Sequence, residues 1–136
     1  MNYFLVFLGG GLGAMARFFT VSFLGHNINH AALPLVIKNL PVGTLLVNWL
    51  GAFIIGLVVE FFALKFYGNH ELGNMLRYFL VVGILGGFTT FSAVSLETYL
   101  LFLRGEYILA IIYILLSILG TILLVLAGTM LARSLF

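Results

Sequence analysis

Charged side chains are scarce in this chain of 136 residues: only 7% of the residues are charged, and aspartate is absent altogether. A soluble globular domain carries about 25% charged residues, which cover its water-facing surface. Hydrophobic residues make up 63% of this sequence, and its mean hydropathy is +1.25. The composition therefore predicts an integral membrane protein, with the plasma or inner membrane as its default location.

Cysteine is also absent, which excludes a disulfide framework, a zinc–thiolate cluster and thiol chemistry. The sequence has no run of basic residues, so nucleic-acid binding is not indicated. The sequence has no HExxH, no P-loop and no serine–histidine–acid grouping, so we do not expect an enzyme. His26 and His30 have the spacing of a metal pair, but residues 25–30 are typical of a loop and bring no further ligand. No basic segment precedes the first apolar run, so a cleavable signal peptide is not expected.

Long apolar segments dominate what remains. A membrane helix needs about 20 predominantly apolar residues. Four segments of the sequence meet this requirement, at approximately residues 3–24, 42–64, 72–103 and 107–131. We therefore predict an all-α membrane protein in which residues 1–136 form a single transmembrane domain, with both termini on one side of an antiparallel bundle. Residues 31–40 are predicted to lie at the membrane interface.

The third apolar segment is predicted to break between Gly86 and Thr90. Gly86 and Gly87 destabilise a helix, and the β-branched pair Thr89 and Thr90 adds to that cost. Lipid cannot satisfy backbone groups that a break leaves unpaired, so such breaks face protein, water or an ion. The sequence also allows a simpler interpretation, in which the glycines form a hinge and the hydroxyls bond to their own helix.

Several polar side chains fall within the apolar segments. Arg17 lies in the first segment, where it either faces a partner or extends to the lipid headgroups. Asn48 lies in the second, where its amide either clamps two helices or donates to an anion. Glu97, in the third, is a carboxylate without an evident partner.

A polar stripe marks the fourth segment, because Tyr113, Ser117 and Thr121 recur every four residues and share one helix face. Their hydroxyls are suited to replacing water around an ion, although bonds to their own helix backbone are equally compatible with this spacing.

Basic residues give no clear orientation in the membrane. The terminal side of the predicted bundle and the opposite side carry similar numbers of basic residues. The positive-inside rule therefore indicates either insertion in both orientations or an orientation set by other features. The residues are Lys65, Arg77 and Arg133 on the terminal side, and Lys38, Arg104 and the nearby Arg17 on the other.

Four separated motifs together resemble those of the Fluc family of fluoride channels, also called CrcB proteins, over essentially the whole chain. They are Gly10-x-x-Gly13-Ala14-x-x-Arg17, Gly43-Thr44-Leu45-x-Val47-Asn48-x-x-Gly51, Gly86-Gly87-Phe88-Thr89-Thr90-Phe91-Ser92, and Tyr113-x-x-x-Ser117-x-x-x-Thr121. The resemblance implies an antiparallel, dual-topology dimer that conducts fluoride passively and exports it from the cytoplasm, which reduces its toxicity.

The resemblance also implies roles for individual residues. A structural sodium ion at the dimer interface would be held by the backbone carbonyls of Gly86 and Thr89. The matching pore residues, which would contact fluoride or attract it to the entrance, are Asn48, Phe91, Tyr113, Ser117, Thr121 and Arg17.

One position departs from the family pattern. Val94 stands where the family has a second pore phenylalanine, three residues after Phe91. We therefore hypothesise that the chain works either as a homodimer or in a pair with a homologous subunit that supplies the missing ring. Two alternatives are a non-conducting assembly subunit and a small dual-topology multidrug transporter. The transporter would need a carboxylate in the first helix, where this chain has Arg17 instead.

Overall fold

The computed structural model describes residues 2–30, 39–65 and 70–136, and these residues are almost entirely helical. Helix α1 is Asn2–His30, α2 is Val42–Lys65 and α3 is His70–Leu76. A π-helical segment, Arg77–Leu85, then leads into the short α4, Gly86–Phe88. Helix α5 is Phe91–Leu103 and α6 is Tyr107–Leu135.

Within these described residues, four helical spans are long and apolar enough to cross a membrane. They are Asn2–Asn27, Val42–Lys65, Glu71–Leu103 and Tyr107–Leu135, and the third contains the interruption between α4 and α5. The prediction of an all-α protein with four spans, the third of them broken, is therefore confirmed.

Helix α1 is longer than predicted. The polar residues 25–30 were expected to form a loop, and this expectation was wrong, because the helix continues to His30. One polar side chain of this stretch bonds back to the helix, because Asn27 Nδ2 donates to the Phe23 carbonyl at 2.9 Å. Such bonds satisfy the side chains without ending the helix. Most of the segment predicted to be interfacial, residues 31–38, lies outside the described part of the chain.

Glycines allow α1 to lie directly against the third span. A Cβ atom added at Gly13 would lie 2.0 Å from the Ile84 carbonyl oxygen, and one at Gly87 would lie 2.5 Å from that of Gly10. Membrane helices use small residues in this way to bring their backbones together.

Helix α2 packs most extensively against α6. The two run parallel, because Trp49 meets Leu116 and, later in both helices, Glu60 meets Arg133. A Cβ atom at Gly56 would lie 2.2 Å from the Val125 carbonyl oxygen, and one at Gly128 would lie 2.2 Å from that of Phe53. Near the carboxyl-terminal ends of both helices, Arg133 Nε donates to Glu60 Oε1 at 2.8 Å. The core that supports the cavity described below consists of Leu45, Val94, Leu101, Ala110 and Tyr113.

Candidate functional site

The third span is interrupted at two threonines. Thr89 (φ −86°, ψ 153°) and Thr90 (φ −155°, ψ 130°) are extended, whereas Gly86 and Gly87 stay helical. The break therefore occupies only the end of the predicted stretch. Helix α5 restarts at once, because the Thr90 hydroxyl accepts a hydrogen bond from Ala93 N at 3.4 Å and so caps the new helix.

Asn48 of α2 bridges this break. Its Oδ1 accepts from Thr90 N at 2.8 Å, and its Nδ2 donates to the Thr90 carbonyl at 3.0 Å. The side chain is 6% exposed, so this pair of bonds replaces helical partners that lipid cannot supply. The helix-clamp interpretation of Asn48 is correct, and the amide still has a second N–H that this pair of bonds does not use.

A cavity of about 380 Å³ opens beside the break, between α2, α5 and α6. It brings together four of the predicted pore residues, Asn48, Phe91, Ser117 and Thr121. Phe91 is 72% exposed, so its ring forms part of the cavity's outer edge. The remaining lining residues are mostly apolar: Ala52, Ile55, Thr89, Thr90, Val94, Ile118, Ile122 and Val125.

Ser117 holds an unpaired hydroxyl in this cavity. The residue is 5% exposed, and its Oγ makes no well-formed hydrogen bond within the described part of the chain. The Tyr113 hydroxyl, one helical turn earlier, is a neighbouring group close enough to interact with it. Thr121 differs, because its hydroxyl donates to the Ser117 carbonyl at 2.7 Å. The back-bonding alternative therefore applies to Thr121 and not to Ser117. A buried hydroxyl without a well-formed hydrogen bond is costly, so Ser117 is the cavity residue whose hydrogen bonding most needs an explanation.

Tyr113 lies one helical turn before Ser117 but does not line the cavity. It is fully buried, and its hydroxyl donates to Glu97 Oε2 at 2.5 Å. The other carboxyl oxygen, Glu97 Oε1, accepts from the Thr44 hydroxyl at 2.6 Å. These bonds explain how Glu97 is satisfied inside the membrane. The sequence singled out Glu97 but did not identify its two partners, which come from two other helices.

Arg17 is not brought to the cavity. It lies half-buried on α1, which packs against the π-helical segment and α4, and it is not among the cavity-lining residues described above.

The break also leaves two backbone carbonyls without their helical donors. In a continuous α-helix, Thr90 N would donate to Gly86 and Ala93 N would donate to Thr89. Here Thr90 N donates to Asn48, and Ala93 N donates to the Thr90 hydroxyl. Gly86 is exposed on the subunit surface and Thr89 is partly exposed. Carbonyl oxygens are ligands that a hard cation prefers, so these two groups are of the right chemical kind for the predicted sodium ion.

Comparison with known proteins agrees with the four motifs. A family model described as "CrcB-like protein, Camphor Resistance (CrcB)" matches residues 4–129. The chain belongs to the CrcB family. This membership, together with the four spans, makes it a multi-pass cell-membrane protein.

Several relatives of this CrcB chain carry the name "Fluoride-specific ion channel FluC". One from Granulibacter bethesdensis is 48% identical over 118 residues, which is 87% of this chain and 84% of the relative. One from a Chelativorans species is 44% identical over 130 residues, covering 96% and 94% of the two chains. One from Pyrococcus abyssi is 41% identical over 129 residues, covering 95% and 94%. The match therefore extends over nearly the full length of both partners.

Proposed function

We propose that this chain is a subunit of a passive, fluoride-selective channel that exports fluoride from the cytoplasm and so reduces its toxicity. The observation that carries the proposal is the unpaired, buried Ser117 hydroxyl in the same cavity as the Asn48 amide and the Phe91 ring. The names of the relatives described above support fluoride as the ion.

Fluoride is small and strongly hydrated, so a pore must replace its water with other donors. Ser117 offers an O–H that makes no well-formed hydrogen bond in the described part of the chain, and Asn48 offers the N–H that the helix clamp leaves unused. Both residues are at least nine-tenths buried, and a hydrogen bond to an anion is strong in such a low-dielectric setting. Thr121 joins them once its hydroxyl rotates away from the Ser117 carbonyl.

Phe91 contributes a different kind of contact. An aromatic ring has a positive edge, which attracts an anion that approaches in the plane of the ring. Its position at the cavity's outer edge suits a ring that meets the ion as it enters.

Tyr113 and Arg17 have less direct parts in the proposal. Tyr113 supplies the next hydroxyl along the same face of α6, and Glu97 fixes its orientation. Arg17 acts through its charge, which raises the local anion concentration near the entrance.

We further propose that two subunits assemble in opposite orientations around a sodium ion. The carbonyls of Gly86 and Thr89 would hold the ion, because the break deprives both of their helical donors. When bound, the cation supplies positive charge that satisfies these oxygens and offsets nearby negative charge. Replacing sodium with a large organic cation on both sides of the membrane should lower fluoride efflux; an unchanged rate would contradict the sodium site.

Val94 bears on whether the proposed dimer contains two copies of this chain or this chain and a homologous subunit. It is 3% exposed and lines the cavity, so a phenylalanine at this position would extend its ring toward the pore residues. If two phenylalanines per subunit are needed, this chain requires a homologous partner that supplies the missing ring. If one is sufficient, a homodimer conducts.

Fluoride efflux from liposomes tests the proposal. The purified chain, Phe91→Ile and Val94→Phe should be compared at equal protein content, with chloride efflux measured in parallel. Efflux of fluoride but not chloride from the unmodified chain, abolished by Phe91→Ile, supports a conducting homodimer. Efflux that appears only with Val94→Phe supports an unequal pair. Folded protein that conducts in neither form, even beside a homologous subunit with both phenylalanines, would refute the proposal.

A further inference from the structure

Trp49, the only tryptophan of the chain, connects α2 to α6 at the level of the cavity. Its indole Nε1 donates to the Leu116 carbonyl at 3.0 Å. Trp49 directly follows Asn48 in α2, and Leu116 directly precedes Ser117 in α6. A single directed bond, from the Trp49 side chain to the Leu116 backbone, therefore joins the neighbours of the two buried donors that line the cavity.

Gly120 forms the slot that receives the indole ring. A Cβ atom at Gly120 would lie 2.3 Å from Trp49 Nε1 and 2.6 Å from Cε2, so no larger residue fits while the ring keeps this position. Gly120 lies one turn after Leu116 and directly precedes Thr121. The residues that hold the ring are thus interleaved with the hydroxyl-bearing residues of the cavity.

Farther along the bundle, these helices also meet at Gly56, Gly128 and the Glu60–Arg133 ion pair. On the other side of Trp49, Leu45 of α2 shares the buried core with Ala110 and Tyr113 of α6. The small residues bring the backbones together, and the ion pair joins the helix ends. The indole bond lies where the donors must converge. A slip of one residue between two helices moves them by about 1.5 Å along the axis and turns the side chains by about 100°, which would remove Ser117 from the face of Asn48.

We infer that Trp49 is a positioning residue, which sets the register of α2 against α6 and thereby the spacing between the Asn48 amide and the Ser117 hydroxyl. The inference rests on the proposed fluoride conduction for its functional readout. A small, strongly hydrated ion tolerates little change in the distance between its donors, so loss of register should affect fluoride more than larger anions. The inference also predicts a structural change that is measurable without any ion flow.

Trp49→Phe removes the hydrogen bond and keeps an aromatic ring, and Gly120→Ala fills the slot. Each should lower fluoride efflux by about tenfold or more, because a displacement of about 1 Å at a reacting or binding group has effects of this size. Each should also lower the ratio of fluoride to chloride efflux. Leu119→Ala is the matched control, because Leu119 is 56% exposed, lies next to Gly120 and does not line the cavity; it should conduct at the unmodified rate.

The register can be measured directly, because the chain contains no cysteine. Spin labels on Val59→Cys and Leu126→Cys, both exposed positions of α2 and α6, report the distance between the helices when labelled chains are diluted with unlabelled ones. Trp49→Phe should shift or broaden this distribution by about 1.5 Å or more. In Gly120→Ala, the emission of Trp49 should shift as the indole leaves its slot.

The two readouts separate the inference from the proposed function. If the unmodified chain conducts no fluoride, the spin-label distances still decide the inference: a shift in Trp49→Phe supports it, and an unchanged distribution overturns it. If the chain conducts, a folded Trp49→Phe with unmodified rate and selectivity overturns it. Loss of conduction in Trp49→Phe without any change in distance would also overturn it, because Trp49 would then act on the ion by another route.

Discussion

Ser117 carries the strongest prediction for a single residue, because its roles in conduction and in stability have opposite signs. Its buried hydroxyl makes no well-formed hydrogen bond in the described part of the chain, and the neighbouring Tyr113 hydroxyl already donates to Glu97. Leaving such a group unsatisfied costs about 1–3 kcal/mol. Ser117→Ala should therefore leave the thermal unfolding midpoint unchanged or raise it, while it lowers fluoride efflux by about tenfold, the factor that corresponds to about 1.4 kcal/mol at the barrier.

Ser134→Ala is the matched control on the same helix. Ser134 is exposed, and its hydroxyl donates to the Leu131 carbonyl at 2.8 Å, so its loss should change neither efflux nor stability appreciably. Thermal unfolding in detergent and efflux from liposomes give the two readouts. If Ser117→Ala lowers the midpoint and the efflux together, the hydroxyl has a structural partner and the donor interpretation is wrong.

The sequence predicted which polar residues line the cavity better than it predicted which hydrogen bonds they make. The spacing of Ser117 and Thr121 predicted a shared face, and both residues line the cavity. The spacing could not predict that the Thr121 hydroxyl bonds to carbonyls of its own helix while the Ser117 hydroxyl does not, because that depends on the rotamer each side chain adopts in the packed structure. The partners of Glu97 were hidden for a different reason, since Thr44 and Tyr113 lie on other helices and tertiary packing brings them together.

The broken third span shows that local helix propensity can predict that a helix breaks without predicting the residue at which it breaks. Low helix propensity at Gly86 and Gly87 predicted a break there, yet both glycines remain helical and the chain extends only at Thr89 and Thr90. The Thr90 backbone leaves the helix where Asn48 supplies replacement bonds, and that partner is 42 residues away in sequence. Gly87 serves instead to admit the backbone of α1, a tertiary requirement that local propensity does not contain.

The packing of α1 against the third span gives a prediction with an internal control. Gly13→Ala places a methyl group 2.0 Å from the Ile84 carbonyl, so the helices must separate, and overpacking of this kind costs about 1–3 kcal/mol. Gly11→Ala meets nothing within 4 Å and gains helix propensity, which is worth up to about 1 kcal/mol. Chemical or thermal unfolding should therefore show Gly13→Ala destabilised and Gly11→Ala unchanged or more stable.

The comparison also tests what covers the free face of α1. Gly11 is exposed in the single subunit. If Gly11→Ala destabilises the assembly as much as Gly13→Ala does, that face meets another subunit rather than lipid, and the expected difference between the two glycines disappears.

At the scale of the whole molecule, the few charged residues matter chiefly for the orientation in which each subunit inserts into the membrane. Basic residues are balanced between the two ends of the bundle, and Glu60 pairs with Arg133 at one end. So little bias is compatible with the proposed antiparallel dimer, whose two subunits must insert in opposite orientations. Composition and hydrophobic segments predicted the spans. They did not predict the orientation, because the numbers of basic residues at the two ends of the bundle are nearly equal.

Added charge should therefore separate the two orientations. Ser134→Lys with Leu135→Lys adds positive charge at the terminal end, and Leu103→Lys with Ile108→Lys adds it at the other end; all four positions are exposed. By the positive-inside rule, each double variant should insert in one orientation only. Each alone should then fail to form the antiparallel dimer and should protect cells poorly against fluoride, whereas co-expression of the two should restore protection.

If cells are protected against fluoride only when the two double variants are expressed together, the channel requires subunits of opposite orientation. The inserted orientation of each variant is checked with a membrane-impermeant maleimide after Tyr107→Cys, an exposed position that would carry the only thiol of this cysteine-free chain. If either double variant, confirmed in one orientation, protects cells as well as the unmodified chain, its subunits function in parallel and the antiparallel arrangement is wrong. The cavity between α2, α5 and α6 would then have to conduct within a dimer of like orientation.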